Sequence, residues 1–238
     1  MKALFITLFL VCFSLFLHGQ SNLTFMGAPV GLPNANSNMA LVMDNRYQGI
    51  KGSPRLFDKW YPAEIVLNGG QKHQNIPFKL DVFEKQELIT KNQTGDSLFI
   101  KEEMVSYFSI YNEDTKITHT FKRFKEKNTD TKPIFFDVLH EGKYALLAKR
   151  YKNFSPADFK GGYSVQKFYD EYTNATDLFV KMPEIEDLVK IKPNKKSILK
   201  VLSGKDKELS AFIDKEKLDF KKEQDLAKLF AYYNQLLN

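Results

Sequence analysis

The chain has 238 residues, 43% of them hydrophobic and 27% charged, which supplies a sizeable core and excludes a disordered polymer. Its formal charge of +6 is almost all lysine, since Arg46, Arg55, Arg123 and Arg150 are the only arginines. Lysine is the poorer fork for phosphate, so the excess reads as a solubilising surface and argues against a nucleic-acid partner.

The chain opens "MKALFITLFLVCFSLFLHGQSN". Lys2 is a short positive region, residues 3–17 are apolar, and Gly19 is a small residue at which cleavage would leave Gln20 as the new N-terminus. The run is shorter than the ~20 residues that span a bilayer. Residues 1–19 are therefore expected to be a signal peptide, with Gly19 and Gln20 the processing site. The protein is expected to be exported, to the periplasm first, with an extracellular or envelope-associated place as the alternative. It is not expected to be an integral membrane protein after cleavage. Cys12 is the only cysteine; Val11 precedes it and the apolar run continues beyond it, which argues against lipidation. The processed chain would have no disulfide and no thiolate site, and its core alone must hold it.

Residues 20–52 read as an arm or loop, with "MGAPVGLPNANSN" rich in turn formers and "MALVMD" one short strand. The stretch "GSPRLFDKWYPAEIVLNGG" then carries the only tryptophan. Asp58, Trp60 and Tyr61 are ligand-binding candidates, an aromatic platform beside a polar group. The plainer reading makes Trp60 the residue that starts a strand and caps one end of the core, because the alternating run Tyr61, Ala63, Ile65, Leu67 follows directly.

Asn68-Gly69-Gly70 is a turn, and Ile76, Phe78, Leu80 and Val82 alternate after it, which predicts an antiparallel hairpin. Pro77 cannot donate to a ladder, so it is expected at an edge or a bulge. Short runs follow at "ELIT", "SLFI", "MVSYFSI" and "ITHTFKRF". The segment "PIFFDVLHEGKYALLAKRY" predicts a second hairpin. Ile134, Phe136 and Val138 share a face of its first strand, and Tyr144, Leu146 and Ala148 a face of its second. "VQKFYDEY" and "DLFVKMP" continue the series to residue 182.

From Asn194 the period becomes helical. "NKKSILKVLSG", "KDKELSAFIDKEK" and "KEQDLAKLFAYYNQLL" predict three short helices, the last with Leu226, Leu229, Phe230, Tyr233 and Leu237 on one stripe. Helices this short need a partner to pack on. The class is α+β: a mainly antiparallel meander, as a roll or open barrel, over residues 53–192, then a small helical cap over residues 193–238.

Chemistry is harder to find. His73, His119 and His140 form no local zinc pair. His140 is assigned to its turn, and His119 to a partly buried strand position. No nucleophile elbow or phosphate loop occurs, and the carboxylates are too evenly spread to choose a pair. No catalytic residue, metal ligand or cofactor is assigned. Lys190, Lys192, Lys195, Lys196 and Lys200 run without an acid, and read as the wet side of a helix rather than a membrane-surface patch.

Three pieces, "GSPRLFDKWYPAEIVLNGGQKHQNIPFKLDVF", "FFDVLHEGKYALLAKRY" and the tail from "KSILKVLSG" to "AYYNQLL", resemble a broad group of exported, functionally uncharacterised proteins of Bacteroidota. The resemblance spans residues 50–237 and includes a hairpin with an E-G-K turn and a charged helical tail ending in an aromatic-Asn motif. It implies a bacterial envelope setting and transfers no catalytic residues. The expected function is a non-enzymatic periplasmic or envelope binding or scaffold protein, its partner an envelope protein, glycan or lipid. A hydrolase whose site assembles only in the fold is one alternative. An assembly component acting through the helical tail is another.

Overall fold

The computed structural model describes residues 50–126, 132–157 and 169–237. Gly19, Gln20, Cys12 and nearly all of the N-terminal arm lie outside these. The strands are β1 (Ile50–Lys51), β2 (Tyr61–Leu67), β3 (Lys72–Asp81), β4 (Glu87–Lys91), β5 (Ser97–Ile100), β6 (Val105–Asn112), β7 (Ile117–Phe124), β8 (Ile134–His140), β9 (Ala145–Ser155), β10 (Asp170–Met182) and β11 (Ile185–Ile191). Helices α1 (Lys195–Val201), α2 (Asp206–Glu216) and α3 (Glu223–Leu236) follow. The expected α+β class is observed: one open, mainly antiparallel sheet, then the helical region.

Among the described residues the sheet order is β1-β10-β9-β8-β7-β6-β2-β3-β4-β5, with β11 also on β10. One row of paired residues crosses most of it: Ile65, Phe108, Phe121, Asp137, Ala148, Leu178 and Ile191. Paired residues share a face, so this row defines the inner face. Two core clusters occupy it. One packs Tyr61, Ile65, Phe78, Phe108, Phe121 and Phe135. The other packs Leu146, Ala148, Leu178, Val180 and Ile191 against buried Ile198, Leu209, Ile213 and the α3 stripe Leu226, Leu229, Phe230 and Tyr233. The stripe expected from its spacing is thus the packing surface of α3.

Three details qualify the expected pattern. Pro77 is in an interior strand, opposite Pro62, with a register shift just beyond Ala63–Ile76 and Asn75 in the left-handed region at φ 56°. Of the two expected places the structure takes the bulge, and the missing donors of the two prolines are set against each other. β8 and β9 do not align their expected apolar faces. Asp137 pairs with Ala148 and Val138 with Leu147, so Phe136 and Val138 face away from Leu146 and Ala148. Both faces of this hairpin are covered, the outer one by a cluster of Phe136, Ala145, Leu147, Phe179 and Leu188. Two-sided burial removes the alternation that the sequence reading relied on. Lastly, β11 continues the series past residue 182; its charged "IED" start hides a strand whose Leu188 and Ile191 are buried.

Helix ends follow from local chemistry. The Asn194 side chain accepts from Ser197 N–H at 2.8 Å and caps α1. Gly204 then turns the chain at φ 91°, a region open to glycine.

The tail is locked to the β8–β9 turn by an amide clamp. Asn234 Oδ1 accepts from Tyr144 N–H at 2.8 Å, and Asn234 Nδ2 donates to Tyr144 O at 2.9 Å. The E-G-K turn and the aromatic-Asn motif therefore meet in space. A Cβ at Gly142 would lie 2.8 Å from Asn234 Nδ2 and 2.9 Å from its Cγ. Tyr233 packs edge-on to Tyr144 at 5.0 Å and donates to Ser203 O at 3.0 Å. Burial pushes the Tyr233 phenol up to about 12, so it stays a donor at all ordinary pH.

Gly142→Ala is expected to expel the amide and to cost about 1–3 kcal/mol, the penalty of unsatisfied buried backbone groups. Asn234→Ala should cost a similar amount, and the double variant less than the sum, since both changes act on one contact. Chemical denaturation of the three variants measures this; strict additivity would show that the clamp is not the shared element.

Candidate functional site

The densest cluster of charge on the inner face lies where the two core clusters meet. Asp137 is the only charged member of the cross-strand row, and its side chain is 2% exposed. Beyond the Asp137–Ala148 pair β8 and β9 have no further register pairs, and Arg150 sits two residues past it on the same face as Ala148. Its guanidinium fills the gap. Nε and Nη2 donate to Asp137 Oδ2 at 3.0 and 2.6 Å. Nη1 and Nη2 donate to Glu223 at 2.5 and 2.8 Å, a two-pronged grip on the first residue of α3. Nη1 also reaches Thr176 Oγ1 at 3.2 Å. Burial alone would lower the Arg150 pKa, but Glu223 and Asp137 outweigh it and raise it. Where β8 loses its neighbour, the amide of Gln86 serves both backbone groups of Phe135, at 2.6 and 2.7 Å.

His119 completes the group. Its Nδ1 lies 2.8 Å from Asp137 Oδ2, and its ring packs on Phe57 at 5.3 Å. An imidazole paired with a buried carboxylate is the orienting half of a hydrolytic triad. Here the same carboxylate oxygen also receives Arg150. Among the described residues Asp137 is the hydrogen-bond partner of the imidazole, and no hydroxyl bonds to it. The cluster holds charge and joins sheet to tail, and the hydroxyl bonded to it, Thr176 Oγ1, meets Arg150 rather than His119.

The ligand-binding candidates point different ways, and Tyr61 alone adjoins this cluster, through the Phe57 ring that also packs on His119. Trp60 does start a strand, directly before β2. Its ring is half-buried between Lys79 Nζ at 5.0 Å and Lys91 Nζ at 4.8 Å. Tyr61 is buried on the inner face, and its hydroxyl donates to Asp114 at 2.7 Å. Asp58 is exposed and accepts from the Ser53 hydroxyl. Half-buried Lys152 is near it: burial lowers the ammonium pKa, and Asp58 and Asp81 partly oppose this. His73 and His140 stand on other strands, paired with Ile65 and Leu146, each with Nε2 buried and unbonded. Burial pushes the His140 pKa down. Among the described residues no three His, Cys, Asp or Glu side chains converge as a metal site, and no helix is long and apolar enough to cross a membrane.

Asp137, Arg150 and Glu223 were not singled out as site residues from the sequence. A signal existed: "PIFFDVL" sets one acid in an apolar run, and Arg150 is one of four arginines in a lysine-rich chain.

Two open hollows lie on the outer face, with volumes of about 800 and 500 Å³, and they share Ser109. Tyr107, Thr120 and Lys122 line the first, and Glu64, Tyr111 and Thr118 the second. A scan against protein-family models, a search of curated proteins and a search of solved structures each find no match for this chain.

Proposed function

We propose that this is an exported, non-enzymatic protein of the bacterial envelope, periplasmic in the first instance, whose sheet displays a glycan-binding face. The observation that carries this reading is the pair of adjoining hollows on the outer face. Tyr107 and Tyr111 lie four residues apart on one face of β6, about 13 Å along the strand. Between them Ser109 and Thr120 share a hydrogen bond at 2.9 Å, each keeping capacity for a further partner. Aromatic faces alternating with hydroxyls suit the apolar and polar sides of a sugar ring. Charges at the border are already engaged: Glu64 receives Lys72 at 3.0 Å and Gln74 at 2.9 Å, Lys122 meets Glu141 at 2.5 Å, Arg123 donates to the carbonyls of Val105, Pro133 and Glu102, and Lys181 lies over the Phe124 ring at 5.6 Å. A neutral oligosaccharide fits this better than an ionic ligand.

A thermal-shift screen against neutral envelope oligosaccharides tests it. Stabilisation is expected, and Tyr107→Ala with Tyr111→Ala should remove it, each ring contributing roughly 1 kcal/mol. Silence across all glycans, together with measurable hydrolase activity, rejects the reading. One observation favours that alternative: His119 and Asp137 are paired at 2.8 Å. In a hydrolase of this kind His119→Ala would abolish turnover.

A further inference from the structure

The tail and the sheet leave a cleft between them, remote from the outer-face hollows. It measures about 480 Å³ and lies between β10, β11 and the start of α3. Leu178, Ile191 and Leu226, all from the tail-covered core cluster, form its floor, and half-buried Phe220 forms one wall. Lys192 and Lys221 stand exposed at its rim.

The charges around this cleft do not balance. Its two carboxylates are already engaged: Asp177 with Lys190 at 2.7 Å, and Glu223 with Arg150 at 2.5 Å. Among the described residues the ammonium groups of Lys192 and Lys221 make no hydrogen bond or ion pair. An apolar floor with two uncommitted cations at its mouth asks for a ligand that is apolar at one end and anionic at the other. The lysine run that reads as the wet side of a helix is therefore divided: Lys195 reaches Asp214 at 3.5 Å, while Lys192 turns to the cleft.

We infer that this cleft binds a small anionic amphiphile, a single medium-length acyl chain ending in a carboxylate. The chain lies on Leu178, Ile191, Leu226 and Phe220, and the carboxylate meets Lys192 and Lys221. Because sheet and tail both contribute walls, the bound chain would also hold the tail in place. This inference does not depend on the glycan-binding reading.

Titration calorimetry of the processed protein with decanoate, below its micelle concentration, tests it, alongside amide shifts by NMR. Decanoate is expected to bind about tenfold more tightly than decanol, the worth of two exposed ion pairs. Acetate, which lacks the chain, should not bind measurably. Lys192→Gln with Lys221→Gln should bring decanoate down to the decanol level and leave the melting temperature of the free protein unchanged. Shifts should centre on Leu178, Ile191, Phe220 and Leu226. Equal affinity for decanol and decanoate, an unaffected double lysine variant, shifts centred elsewhere, or no binding at all would each overturn the inference.

Discussion

Arg150→Ala is expected to lower the melting temperature by about 10 °C. Truncating one partner of a buried ion pair costs roughly 3–5 kcal/mol, because the remaining charge stays desolvated. In a domain of this size each kcal/mol moves the midpoint by about 2–4 °C. Asp137 bears most of the cost: its side chain is 2% exposed and would keep only His119. Glu223 is 32% exposed and can turn to water. The change also unties α3 from β9, so amides in the tail should exchange faster than those in β2, β3 and β6. A second variant separates charge from packing. Arg150→Met combined with Asp137→Leu replaces the pair with apolar volume and should recover much of the loss. A melting point for Arg150→Ala within about 2 °C of the unaltered protein would show that the cluster does not bear on stability.

Removing residues 194–238 is expected to leave the protein insoluble. The tail covers Leu146, Leu178, Val180 and Ile191, none more than 7% exposed. Each such side chain loses roughly 1.5–3 kcal/mol when uncovered, and four together match the whole stability of an ordinary domain. The face left bare would be a contiguous apolar patch, an aggregation surface. Expression of the protein with and without residues 194–238, followed by sedimentation, measures this. A soluble, cooperatively folded truncation would mean that the helices are an interface for another protein, which is the assembly reading.

These two results bear on function through the same seam. The charge cluster with the deepest burial is spent on joining sheet to tail, and its His119–Asp137 pair lacks a bonded hydroxyl among the described residues. The two proposed ligand sites lie elsewhere, at the hydroxyl-lined hollows outside and the lysine-rimmed cleft beside α3. Both are tested by binding rather than turnover.

Much of the architecture is legible along the chain. Tyr61, Ala63 and Ile65 alternate because β2 has one buried face, and Ile76, Phe78 and Leu80 because β3 does. Asn194 announces α1 by its capping oxygen, and Leu226, Leu229, Phe230 and Tyr233 mark the face of α3. In each case a local rule of period or capping is enough, since one side of the element meets water. The failures are equally physical. Ile134, Phe136 and Val138 do share a face of β8, but that it is the outer face was not legible, because Asp137 points inward to a partner thirteen residues on, at Arg150. Asn234 and Gly142 can be marked as motifs, but their contact spans the β8–β9 turn and the far end of the tail.

By itself, the order of residues determined the α+β class, the strand-then-helix order and the apolar stripe of the tail. Those depend on neighbours a few positions apart. Only the tertiary structure decided that Asp137, Arg150, Glu223 and His119 form one cluster, that Trp60 and Tyr61 face different surroundings, and which hollows remain open. Such groups are set by register between distant strands and by which charges lose water together, and neither quantity has a local signature.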